Sequence, residues 1–262
     1  MGSVWARSAF ALAAAAAALA HGAEGELSVG AGANYSTGRY ADSTPTRIWS
    51  IPFLARYETD RWTLKLTVPY LRVTSPANVI PGVGRFDESG RSRRRRAAGA
   101  TTESGLGDTV ASATYTAYYD DAAKRGLDLT GKVKLPTADA DKGLGTGSTD
   151  ESVQVDVYQT QDRFTIFADI GYTFFGHSDF VQLDNALYYG LGFSEKLDPA
   201  NSLGVSYDAR QRVTPGGAPQ RELTAFWNRR MDRGTRLQAY VLKGFADGSP
   251  DWGVGVSLLR GF

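Results

Sequence analysis

The sequence predicts an all-β fold, an antiparallel transmembrane β-barrel of outer-membrane type with about twelve strands, and three observations predict it. Large apolar residues alternate with small or polar ones in segment after segment, the period-two pattern of strands with two unlike faces. The joints between segments are alternately tight and long, so the two ends of one antiparallel sheet are treated differently. The apolar faces begin and end with Trp, Tyr or Phe. A soluble sandwich or barrel shows the same alternation with its apolar face turned inward; export, loop asymmetry and an apolar face rimmed with aromatics favour lipid on that face instead.

The N-terminal stretch MGSVWARSAFALAAAAAALAHGA carries one cation, Arg7, then an unbroken apolar run from Ala9 to Ala20 and small residues after it. This is the form of a secretory signal peptide over residues 1–23, cut after Ala20 or Ala23. The run is shorter than the ~20 residues a helical anchor needs. Residues 24–262 then make a single barrel domain. Removing Arg7 from 29 Lys plus Arg leaves 28 cations against 28 acids, and a neutral chain offers nucleic acid no overall attraction. The absence of cysteine excludes a disulfide framework, a thiolate metal site and a Cys nucleophile. No later run approaches eighteen apolar residues and the mean hydropathy is −0.29, which excludes a helical membrane protein.

The strands are expected near residues 26–37, 47–58, 61–73, 106–119, 126–136, 151–160, 163–175, 183–196, 202–213, 220–232, 235–245 and 252–262. The third is the clearest: in RWTLKLTVPY, Trp62, Leu64, Leu66, Val68 and Tyr70 share one face and Thr63, Lys65, Thr67 and Pro69 the other. The seventh repeats it, with Phe164, Ile166, Ala168, Ile170, Tyr172 and Phe174 opposite Thr165, Phe167, Asp169, Gly171 and Thr173. Tight joints follow the second, sixth and tenth strands and short ones the fourth and eighth. Long ones lie at 38–46, 137–150 and 213–219, and the longest spans 74–105. A hairpin hidden in that last region would change the count to fourteen, and a misread weak segment would change it to ten. An even count puts both termini on the short-turn side, in the periplasm.

Residues 105–115 read GLGDTVASATY, and residues 127–159 read LDLTGKVKLPTADADKGLGTGSTDESVQVDVYQ. The GLGD strand start, the KLPT strand end and the GTGSTD strand start together resemble the family of outer-membrane transporters named for the MetA pathway of phenol degradation. The resemblance implies a channel or transporter-like barrel for small, aromatic or hydrophobic compounds. The final strand, WGVGVSLLRGF, is similar to the assembly signal of bacterial outer-membrane proteins, with Val254, Val256, Leu258 and the terminal Phe262 matching and Arg260 departing. The resemblance implies recognition of Phe262 by the barrel assembly machinery. This strand must pair with the first, near Leu27 to Tyr35, so that no edge faces hydrocarbon.

Catalytic candidates are few. His177, beside Ser178 and Asp179, invites a hydrolase reading, but adjacent positions do not converge as a triad does, so no catalytic residue is expected. Neither metal-ligand spacing nor a cofactor motif is found: Asp139, Asp141 and the acids of 247–251 read as solvated loops rather than calcium sites. Gly143, Gly145 and Gly147 precede a strand rather than a helix, which excludes a nucleotide loop and favours a tight bend.

The polar faces are where function is expected. Arg56, Lys65, Lys132, Lys134, Arg210, Arg212, Arg230 and Arg236, with Asp156, Asp169 and Asp208, are the candidate lining of a solute path, joined by Glu58, Asp128, Asp184 and Glu222. Such charges line a wet passage or pair and plug it. An excess of Arg in the later strands hints at anion preference, and inward Tyr118, Tyr158, Phe167, Tyr188 and Tyr240 offer stacking surfaces. Arg91 and Arg93, Arg94, Arg95 and Arg96 in the longest loop suit lipopolysaccharide phosphates or solute anions. The expected function is passive passage of small molecules by a monomer among outer-membrane lipids. The alternative is a structural or adhesive barrel with lipopolysaccharide-binding loops and a plugged lumen.

Overall fold

The computed structural model describes residues 25–40, 42–75, 79–85, 100–232 and 234–262. Residues 1–23, expected to be a signal peptide, and Arg91 and Arg93 to Arg96 lie outside the described residues. The strands are β1 (Glu26–Gly38), β2 (Thr46–Glu58), β3 (Trp62–Ser75), β4 (Val79–Ile80), β5 (Gly84–Arg85), β6 (Thr101–Leu106), β7 (Thr109–Asp120) and β8 (Arg125–Leu135). They continue as β9 (Asp150–Gln161), β10 (Phe164–Phe174), β11 (Ala186–Lys196), β12 (Asn201–Arg210), β13 (Gln220–Arg230), β14 (Thr235–Gly244) and β15 (Trp252–Gly261). Each long strand pairs antiparallel with its neighbours in sequence, and β1 pairs with β15 from Ser28 opposite Gly261 to Thr37 opposite Trp252. That seam closes the sheet, and closure removes the edges that hydrocarbon would leave unsatisfied.

The barrel has twelve staves because β6 and β7 form one. β3 pairs with β7 from Trp62 to Thr67 and with β6 from Tyr70 to Ser75. Between them sits Pro69, which has no N–H for the ladder and lies opposite Pro52 of β2. The stave breaks at Gly107, whose N–H reaches the Pro69 carbonyl at 2.8 Å, and the break turns Asp108 into the lumen. The longest connection does hide a hairpin, β4–β5, but it stays out of the wall, so the stave count remains twelve.

The outward faces carry the large apolar side chains. Ile166 is 59%, Leu191 55% and Val241 56% exposed, values that only lipid contact makes compatible with burial of apolar surface. Aromatic groups mark both ends of this band. At the long-loop end Tyr35 packs on Trp49 (4.8 Å) and Trp252 (5.4 Å); at the short-turn end Trp62 packs on Tyr115 (4.9 Å) and Phe164 on Phe193 (5.6 Å). Trp252 and Phe262 thus belong to opposite rims.

Aspartates cap the short turns. The Asp198 carboxylate accepts the N–H groups of Ala200 and Asn201, and Asp232 accepts those of Gly234 and Thr235 at 2.9 and 2.6 Å, the Asx geometry that stabilises such turns. These donors, the Gly234 N–H first, pull the Asp232 carboxyl down to about 2. Asp232 also receives Arg260 Nη1 at 2.7 Å, and Thr235 Oγ1 receives the same nitrogen at 2.6 Å. This explains the departure of Arg260 from an apolar residue: it pins the last strand to a turn. Both partners are half exposed, so solvent screens the pair and its contribution to stability is small.

Three strand-face expectations are corrected. Tyr118 does not face inward: the β7–β8 register slips between Thr116 and Tyr118. The extra residue of this bulge places Tyr118 opposite outward Leu127 and gives the inward position to Tyr119. Arg212 is not on a strand, because β12 ends at Arg210, and it is exposed in the connection beyond. Asp184 likewise precedes β11 and is exposed.

Candidate functional site

The three stretches that carry the family resemblance meet at the long-loop end of the lumen. Lys134 of KLPT is paired with Asp108 of GLGD (3.1 Å) and Asp150 of GTGSTD (2.6 Å), and its ammonium also donates to Thr146 Oγ1 at 2.5 Å. Thr137 Oγ1 donates to the Gly107 carbonyl and accepts the Thr109 N–H, while the Ala138 N–H reaches Asp108. Left-handed φ angles of 69° at Gly143 and 70° at Gly147 fold the 137–149 connection back into the mouth. Leu144, 2% exposed, is buried there against Leu71 and Val73 with Ile48. The motif is therefore a structural latch.

The hairpin lies at the same end, over the chamber lined by Pro81, Gly82 and Val83. Ile80-Pro81-Gly82-Val83 is a turn with φ of +78° at Gly82 and the Val83 N–H bonded to the Ile80 carbonyl at 3.1 Å, the Pro-Gly arrangement of a type II turn. Ile80 and Val83 are buried with Val181, Ala186 and Val213. Arg210 Nη1 and Nη2 donate to the carbonyls of Gly82 and Val83 at 2.8 and 3.2 Å, and Thr214 Oγ1 donates to that of Arg85. Beside this apolar mouth Tyr40 is buried, and burial, then Glu222 and Asp251, push its phenol well above the usual range.

Beneath the mouth the lumen is a chain of adjoining cavities. The chamber under the hairpin, about 360 Å³, shares Lys132, Ser152, Thr173 and Arg210 with one of about 290 Å³. That one shares Lys132 and Asp169 with another of about 390 Å³, which shares Ser112 and Thr114 with a vestibule of about 820 Å³ at the short-turn end. The structure places Arg56, Lys65, Arg230 and Arg236 on the vestibule, Asp156 and Asp169 in the middle, and Asp208, Lys132, Lys134 and Arg210 toward the hairpin. Arg56 is paired with Glu58 at 2.7 Å.

Strand register creates one feature that no single segment contains. Asp128 lies opposite Asp156, Asp156 opposite Asp169, Asp169 and Asp208 on either side of Gly190, and Asp208 opposite Glu222. Five carboxylates thus form one continuous row across six strands. Gln154 links the row to Lys132: its Nε2 donates to Asp156 Oδ1, and its Oε1 accepts Lys132 Nζ, both at 2.5 Å, and Tyr188 Oη at 3.1 Å. The Lys132 ammonium stands 5.5 Å from the Tyr188 ring centre.

The inward aromatic rings lie flat on the wall. Tyr158 covers Gly126, Tyr188 covers Gly171, Phe167 covers Gly192 and Phe226 covers Gly204, each so closely that a Cβ on the glycine would stand 2.3–2.4 Å from the ring. Phe226, missed by the face reading, is 6.5 Å from Phe167. The signal for the hairpin was in the sequence, the Pro81-Gly82 turn between Val79-Ile80 and Val83; its position across the mouth was not. His177 and Asp179 are 93% and 83% exposed, 3.7 Å apart, and Ser178 Oγ donates to the Thr146 carbonyl, so these three share no catalytic geometry. Among the described residues no group of three His, Asp or Glu converges to hold a metal ion.

No curated protein matches the chain in sequence. Solved structures match it in fold. An outer membrane channel from Pseudomonas putida F1 is 18% identical with a TM-score of 0.70, over 92% of this chain and 96% of that one. The β domain of the Bordetella autotransporter BrkA is 11% identical, TM-score 0.54, over 92% and 100%, and the KdgM porin 8% identical, TM-score 0.51, over 90% and 99%. Residues 68–255 match the family described as "Putative MetA-pathway of phenol degradation". That stretch runs from the Pro69 break through the Lys134 latch to the last strand, and the chain belongs to this family of outer-membrane-type β-barrels.

Proposed function

We propose that this barrel is an outer-membrane channel that passes small solutes by diffusion along its lumen. The observation that carries the reading is the succession of adjoining cavities from vestibule to hairpin, each with charged side chains on its wall, since charged groups in a protein interior must be wet or paired. The family's link to phenol degradation and the aromatic wall panels support small aromatic compounds among the solutes. The short-turn end, with both termini, faces the periplasm, and the long loops, Arg91 and Arg93 to Arg96 among them, face outward toward lipopolysaccharide. Residues 1–23 direct export, residues 24–262 form one domain, and the barrel works as a monomer. Purified protein in planar bilayers should show single-channel steps and should let solutes swell liposomes. A silent bilayer with no swelling would leave the plugged structural barrel as the better reading.

Two variants test parts of this account. Gly171→Val should force the Tyr188 ring off the wall and lower conductance while the folded barrel keeps its heat-modifiable gel shift; unchanged conductance would show that the ring does not border the path. Deleting Phe262 should deplete assembled protein in the outer membrane through poorer handling by the assembly machinery, and normal levels on quantitative blotting would refute that role.

A further inference from the structure

The chamber beneath the hairpin combines two unlike surfaces. Pro69, Leu71, Val83, Leu144 and Phe175 supply an apolar side, and Arg210 and Lys132 supply two cations. These two differ from the third cation there, Lys134, which is neutralised by Asp108 and Asp150. Lys132 donates to a neutral amide oxygen of Gln154. Arg210 spends Nη1 and Nη2 on two backbone carbonyls of the hairpin, and its Nε is buried without a partner. A guanidinium is built to grip a carboxylate with two parallel donors, and here its Nε edge is unfilled while Nη2 holds only the longer, 3.2 Å bond to Val83.

We propose that this chamber binds a small carboxylate attached to a compact apolar body, and that the bound carboxylate takes Arg210 away from the hairpin. This rests on the reading of the lumen as a solute path and names one class of solute for it. The volume, about 360 Å³, is at the small end of ligand sites. The body lies against Leu71, Leu144 and Phe175; the carboxylate accepts from Nε and Nη2 of Arg210 and from the Lys132 ammonium. Nη2 has two N–H donors, one of which holds the 3.2 Å bond to the Val83 carbonyl; turning the Nε–Nη2 edge squarely onto the carboxylate draws the guanidinium off that bond. A ligand that binds better when the hairpin is released shifts the population toward the open mouth. The next cavity down shares Lys132 and Arg210 but sets three acids, Asp169, Asp208 and Glu222, against them, whereas in the chamber under the hairpin three cations face only Asp108 and Asp150, so the anion is favoured in the upper chamber.

Three probes of one size and different charge decide it: benzoate, benzyl alcohol and benzylamine, titrated calorimetrically against the detergent-solubilised barrel and added to single channels. Benzoate should bind saturably, at least tenfold more tightly than the other two, and should raise the open fraction. Arg210→Gln should weaken benzoate tenfold or more. Since that change also loosens the hairpin, Lys132→Gln, which leaves the hairpin's bonds from Arg210 and Thr214 in place, should weaken it as well. Benzylamine binding as tightly as benzoate, or benzoate affinity unchanged in both variants, would overturn the proposal while leaving the channel standing. Benzoate binding to a protein that never conducts would sink the channel reading and keep the site.

Discussion

Replacing residues 79–85 by a short Gly-Ser linker should raise single-channel conductance several-fold. Among the described residues the hairpin lies over the chamber at the long-loop end: Ile80 and Val83 are buried in it, and its polar attachments include two bonds from Arg210 and one from Thr214. None of its backbone belongs to the barrel ladder, so its removal leaves every wall hydrogen bond in place and the barrel should fold as before. The apolar cluster it leaves behind, Val181, Ala186 and Val213, is small enough to be tolerated at a wet rim. Measurement is direct, with bilayer conductance of both proteins at the same salt. Equal conductance would show that the path does not leave through this mouth.

The second large effect concerns stability. Lys134→Met should cost about 3–5 kcal/mol, the usual consequence of removing one member of a buried ion cluster. Asp108 and Asp150 would then face each other with side chains 11% and 7% exposed and no cation between them. The 137–149 connection, held through Thr146, Ala138 and Leu144, should undock with them. Urea unfolding followed by gel shift measures the loss, and proteolysis within 137–149 reports the undocking. Lys142→Met is the control, because its pair with Asp139 is exposed on both sides and stabilises by about 1 kcal/mol at most. Equal effects of the two changes would show that the Lys134 cluster is not what holds the loop.

The strands themselves were legible because lipid and lumen impose opposite demands on alternate residues. Trp62 to Tyr70 shows this in nine letters, and the observed β3 keeps those faces. The tight turns were legible at Thr59-Asp60, Gln161-Asp162 and Arg233-Gly234, since turn chemistry is local. The bulge that turns Tyr118 outward was not legible, because a single extra residue changes register without changing composition. Arg212 was misplaced for a related reason: polar alternation continues past Arg210 after the partner strand has stopped.

The site was legible only in part. Ten of the eleven charged residues expected along the lumen line its cavities, Arg212 being the exception; that is their position, not their role. Their arrangement, however, belongs to pairs of strands. Asp128, Asp156, Asp169, Asp208 and Glu222 are scattered over nearly a hundred positions, and the pairing register alone makes them one row. By itself the sequence determined the barrel, its inside and outside and its closing seam, because alternation, turns and rim aromatics are properties of neighbouring residues. The tertiary structure decided what the lumen can do: whether Lys134 is a free cation or a latch, whether residues 79–85 stand in solvent or pack at the mouth, and where Arg210 points its donors. Those depend on groups distant in the chain meeting in a space too small to hydrate them separately.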